Sequence, residues 1–175
     1  FKQKTAYEIR LSLVGSEMCI RDRRLSMLGP SQIPLWEVSP SVLHQHISRE
    51  IEQSILPVSD ASGSWGCYHL PDIYVRLPDT SLVRPDIAIF CDPIPCQTTA
   101  YAAVPAAVIE IISPGYQAKD DLLALTYLAN GVRDVLLVNP ETGTFTHHRP
   151  GQSISTQPLP QRLTLTCGCQ VTLSA

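Results

Sequence analysis

The order of apolar patterns along the chain predicts a mixed α/β (α+β) fold, a central mixed β-sheet flanked by helices. Three near-continuous apolar runs of strand length, DIAIF, AAVIEIIS and DVLLV, mark buried strands. A helical pattern with acids in its first turn lies between the second and third. An amphipathic helix precedes them all, so helices and strands interleave within one layer system.

SPSVLHQHISREIEQSILP is the first helix. Ser39 is the expected N-cap with Pro40 just inside, and Pro57 closes it. Leu43, Ile47, Ile51 and Ile55 share one face at i, i+4 spacing, leaving His44, His46, Glu50 and Glu52 on the others. SDASGSWG is a loop, and YHLPDIYVRL alternates in part. PDTSLVRP reads as a turn ahead of DIAIF. AAVIEIIS is a buried strand broken by one acid, Glu110, and ended by SPG. KDDLLALTYLANG is a helix with Gly131 just past its end. DVLLV follows, and NPETG turns the chain into TFTHHR as a hairpin. RLTLTCGCQVTL alternates and supplies the last strands.

The first residues stand apart. KQKTAYEI and SLVGSEMCIRD, residues 2–9 and 12–22, back-translate to strings resembling the two constant arms of a sequencing adapter. Residues 1–23 are therefore read as a non-native segment that packs poorly on the rest. Residues 24–175 are read as one domain truncated at its own start. Residues 1–23 hold five of the 13 basic and three of the 16 acidic residues, leaving eight and 13, a net of −5. That balance excludes a protein that coats nucleic acid through a basic surface. No apolar run approaches the roughly 18 residues of a membrane span. Five cysteines remain, Cys67, Cys91, Cys96, Cys167 and Cys169, and the odd number without a secretory signal predicts free thiols in a reducing cytoplasm. His147 and His148 point to opposite faces of their strand and cannot serve one site.

The informative residues are Asp86 and Glu110, each attached to a run that otherwise demands burial. An ionised carboxylate is costly to desolvate unless paired or bound to a cation. Two such acids on neighbouring strands could share Mg²⁺, which takes a few carboxylates together with water and phosphate oxygens. The alternative is structural, with Asp86 in solvent at a strand end and Glu110 paired to Arg76, Arg84 or Arg133.

RPDIAIF, AAVIEIISPGYQAKD and YLANGVRDVLLVNPETG together resemble the Uma-two family of restriction endonucleases, within the PD-(D/E)XK nuclease superfamily. The resemblance runs from about residue 39 to residue 149. A lone Pro-Asp would carry nothing, since Pro71-Asp72 and Pro78-Asp79 also occur; the combination is what is specific. The resemblance implies a restriction-endonuclease-like core and cleavage of DNA phosphodiesters with Mg²⁺, or Mn²⁺ in its place. It implies Asp86 and Glu110 as metal-binding acids, with the Ile111 carbonyl completing the site. Ile112 stands where the superfamily motif has its catalytic Lys. Ala124 stands where relatives place a Lys on the next helix, four residues after an Asp matching Asp120. Lys119, the only lysine outside residues 1–23, is the candidate substitute, and Asp120 is a possible further metal ligand or a helix-start acid. Glu50 is the candidate for the acid that the first helix often lends this site. A homodimer follows by analogy of fold alone. The rival expectation is a catalytically degenerate nuclease fold used for binding or self-association.

Overall fold

The computed structural model describes residues 24–37, 40–58, 67–96 and 99–175. Ser39 itself and the expectations for residues 1–23 and for the SDASGSWG loop thus lie outside the described residues. Thirteen strands and two helices are described: β1 (Arg24–Leu28), β2 (Ile33–Glu37), α1 (Val42–Gln53), β3 (Leu56–Pro57), β4 (Tyr68–Pro71), β5 (Val75–Arg76), β6 (Leu82–Val83), β7 (Ile87–Phe90), β8 (Ala107–Ile111), α2 (Gln117–Ala129), β9 (Asp134–Asn139), β10 (Thr144–His148), β11 (Ser155–Pro158), β12 (Gln161–Thr164) and β13 (Cys169–Leu173). None of the described helices is long and apolar enough to cross a membrane.

The expected central mixed sheet is the six-stranded one, in the order β11-β10-β9-β8-β7-β4. Only β8 and β9 run parallel within it, with α2 as their crossover. Strand alternation then splits the core in two. Ile87, Ile89, Ile109, Ile111, Leu136 and Val138 face α1, joined by Ile47, Ile51 and Ile55. Ala88, Phe90, Val108, Val135 and Leu137 face α2, joined by Leu123, Ala124 and Tyr127. A fully apolar strand is what a sheet covered on both sides requires.

Two further sheets frame this core, β2-β1-β6-β5 and β12-β13-β3. The segment read as a turn, PDTSLVRP, contains β6 as well, because Leu82 and Val83 complete a ladder with β1 and β5. The C-terminal pair β12–β13 forms its own sheet with β3 rather than extending the central one.

The first helix is corrected in two respects. Its N-cap is Ser41, whose Oγ accepts from the His44 N–H at 3.1 Å. Its inner face is His44, Ile47, Ser48 and Ile51, while Leu43 is 59% exposed. Positions 44, 47, 48 and 51 obey i, i+3, i+4, i+7 as well as the apolar set does. The helix is rotated so that a histidine goes inward.

The second helix ends as its sequence demands. Asn130 caps it, and Gly131 follows at φ +97°, a left-handed conformation that only glycine adopts without strain. Gly131→Ala should cost about 1–2 kcal/mol, a fall of roughly 2–8 °C in thermal midpoint for a domain of this size. Circular dichroism melting checks it.

The free-thiol expectation is overturned for two cysteines. Cys67 and Cys169, 102 residues apart, form a disulfide with Cα atoms 5.8 Å apart, while Cys91, Cys96 and Cys167 stay as thiols. The fold brings the segment before β4 against the start of β13, a closeness that no spacing along the chain announces.

Candidate active site

The register of β7 on β8 builds the site. Ile87 pairs with Ile109, so one step outward places Asp86 opposite Glu110. Directly opposite residues on antiparallel strands sit about 4.5–5.5 Å apart at Cβ. Both acids are buried, Asp86 at 6% and Glu110 at 4% exposure. The strands lock them together: the Asp86 N–H donates to Glu110 Oε2 at 3.2 Å, and the Ile111 N–H donates to Asp86 Oδ2 at 2.8 Å.

Each helix adds one side chain. From α1, His44 Nε2 lies 3.0 Å from Asp86 Oδ2, and its buried Nδ1 has no hydrogen-bond partner among the described residues. From α2, the Tyr127 hydroxyl donates to Glu110 Oε1 at 2.7 Å. Neither residue was singled out from the sequence. Tyr127 lies seven residues after Asp120, on the same helix face, and that spacing was the available signal. For His44 the signal was its place in the alternative inward stripe.

The remaining candidates fall as follows. Lys119 Nζ pairs with Asp120 Oδ1 at 2.8 Å in the first turn of α2, and Asp120 is buried on the sheet-facing side. That turn lies about 10 Å along the helix axis from Tyr127. Glu50 is not brought to the pair. Its side chain is 50% exposed, 3.2 Å from His46 Nε2, and accepts from Ser174. Ile112 and Ala124, at the two expected lysine positions, are both buried in the apolar core beneath α2.

Two of the three arginines offered as structural partners have other bonds. Arg84 bridges to Asp72 at 2.7 Å and stacks over Tyr74, while an Arg133 Nη2 donates to Cys91 Sγ at 3.6 Å. The other two Pro-Asp pairs are turn residues: Asp72 has φ +58°, and Asp79 accepts from the Ser81 N–H.

The donor chemistry fits a hard divalent cation. Two carboxylates converge from neighbouring strands, and oxygen donors of this kind suit Mg²⁺ or Mn²⁺. Among the described residues no three His, Cys, Asp or Glu side chains group around one metal position. The side chains thus supply a pair of acids, and main-chain carbonyl, water and phosphate oxygens would supply the rest.

The fold and the family are matched elsewhere. A protein from Anabaena variabilis ATCC 29413, whose crystal structure is described as that of a putative nuclease belonging to DUF820, superposes with a TM-score of 0.66. It is 20% identical and is covered over 83% of its length by 82% of this chain. At that identity the likeness establishes a shared fold. No curated protein matches the chain. The family model described as "Putative restriction endonuclease", Uma2, matches residues 34–174, which span every element of the site. This chain belongs to the Uma2 family.

Proposed function

We propose that the chain hydrolyses DNA phosphodiester bonds with Mg²⁺ or Mn²⁺ held by Asp86, Glu110 and the carbonyl of Ile111. The observation that carries this reading is the cross-strand pairing of two buried acids at one end of β7 and β8. Like charges placed directly opposite are unfavourable, and a divalent cation between them offsets that cost. When bound, such a metal polarises a phosphoryl oxygen and lowers the pKa of a coordinated water.

The surrounding side chains fix the geometry that this chemistry needs. The Ile111 N–H and His44 hold the Asp86 carboxylate in one orientation, and Tyr127 holds Glu110. Ligands are commonly oriented by such outer hydrogen bonds. Lys119, paired with Asp120 at the start of α2, meets the charge of the scissile phosphate in place of the lysine that Ile112 replaces. Asp120 assists at the same mouth. Cutting both strands of a duplex would call on a homodimer.

A second reading rests on a specific observation. Ile112 and Ala124 are packed into the core, so neither usual lysine position retains a polar group. On that reading the fold binds without cutting. Titration calorimetry of the full chain with Mg²⁺ and Mn²⁺, beside Asp86→Ala and Glu110→Ala, separates the two together with a plasmid-nicking assay. Metal binding lost in both variants, with nicking by the parent, supports the nuclease. Binding without nicking supports the degenerate module, and binding unchanged in both variants removes the metal site. Lys119→Ala should lower nicking at least tenfold, and unchanged nicking would rule that lysine out.

A further inference from the structure

At the other end of β7, about 17 Å from Asp86, four cysteines gather on the α1-facing side of the core. Cys67, Cys91, Cys167 and Cys169 all belong to that cluster. Two of them form the disulfide, and the other two line a cavity of 380 Å³ with Arg133, Val58 and Gly168. The register explains the convergence. Tyr68 pairs with Phe90, so one step further sets Cys67 opposite Cys91. Opposite residues of an antiparallel pair have Cα atoms about 4.5–5.5 Å apart, within the range a disulfide spans. Cys67 therefore stands between two potential partners, Cys169 and Cys91.

We propose that this cluster is a thiol–disulfide exchange site in which Cys91 attacks Cys67 and expels Cys169. The Cys91 thiol gives its proton to solvent, and its sulfur forms a bond to Cys67 Sγ. The Cys67–Cys169 bond breaks, and the Cys169 thiolate takes a proton from solvent. The disulfide is moved and nothing is oxidised or reduced overall. Cys91 is the group placed for the attack: it is half-exposed at the cavity, and the Arg133 guanidinium donates to its sulfur. Cys167 is the poorer candidate, because burial pushes its thiol above the usual range. The exchange has a structural consequence. The Cys67–Cys169 bond ties the three-stranded sheet to the central one, whereas a Cys67–Cys91 bond lies within the central sheet alone. The site is independent of the acid pair and stands whether or not that pair binds metal.

Peptide mapping without reduction, after acid quenching, tests the proposal on the full chain held in a glutathione/glutathione-disulfide buffer. The parent should yield both a Cys67–Cys169 and a Cys67–Cys91 link, and Cys91→Ser should lose the second. Cys169→Ser should shift the bond wholly to Cys67–Cys91, and Cys167→Ser should leave both links in place. Exposed Cys96 reports random exchange. A parent chain that links Cys67 to Cys96 as often as to Cys91, or only to Cys169, overturns the proposal. So does loss of the Cys67–Cys91 link in Cys167→Ser.

Discussion

Saturating Mg²⁺ or Mn²⁺ should raise the melting temperature of the chain, and Asp86→Asn and Glu110→Gln should each erase that rise. A ligand that binds only the folded state stabilises it by RT ln(1 + [L]/Kd), about 2.7 kcal/mol at one hundred times Kd. For a domain of this size that is roughly 5–10 °C. The unfolded chain has no such paired acids, since Asp86 and Glu110 meet only through the β7–β8 register. The amide variants keep the shape of the carboxylates, and an Asn at 86 can still accept from the Ile111 N–H. What they remove is the charge that a hard cation needs. His44→Ala should leave part of the rise, because His44 orients Asp86 from α1 and the strand contacts remain. Differential scanning fluorimetry with and without chelator measures all four proteins. A rise that survives in both amide variants would place any metal elsewhere.

Much of the central sheet was legible because burial on both faces leaves its strands almost purely apolar. DIAIF and AAVIEIIS contain β7 and β8, DVLLV opens β9, and α2 ended where Gly131 said it should. Asp86 and Glu110 stood out for the same reason, as acids in runs that exclude them. The features that were not legible depend on contacts distant in the chain. The short strands β5 and β6 carry two residues each, too few for any period to show. The Cys67–Cys169 bond closes 102 residues, and counting cysteines cannot choose partners. His44 was assigned outward because Leu43 completes an equally regular stripe. Its partner, Asp86, decides the rotation of the helix, and apolar periodicity cannot weigh a polar contact across 42 positions.

The second large effect belongs to Asp134, which stands in the GVRDVLLVNP stretch of the family resemblance but was given no role there. It begins β9, is fully buried, and collects donors from three directions. His147 Nε2 lies 2.8 Å away, Arg149 Nε donates at 2.9 Å, and Thr166 donates through both its N–H and its hydroxyl. Thr166 lies between β12 and β13, so this one carboxylate pins the three-stranded sheet to the central one. Burial alone would raise its pKa, but the bonds from His147, Thr166 and Arg149 outweigh it and hold the carboxyl well below the usual carboxylate range. Asp134→Ala leaves His147, the partly exposed Arg149 guanidinium and both Thr166 donors without their acceptor, at a cost of about 1–3 kcal/mol for each donor that stays buried, or a fall of roughly 5 °C or more in melting temperature. The sign with pH follows from the depressed value. A carboxyl with a lower pKa folded than unfolded stabilises the fold fully above about pH 4, its unfolded value. Below that, the contribution shrinks by about 1.4 kcal/mol per pH unit as the pH falls toward the folded value. The gap in urea-unfolding free energy between the parent and Asp134→Asn should therefore be larger at pH 5 than at pH 3, narrowing between pH 4 and pH 3. A gap that widens on acidification, or is absent at pH 7, would show that the cluster holds its charge no better folded than unfolded.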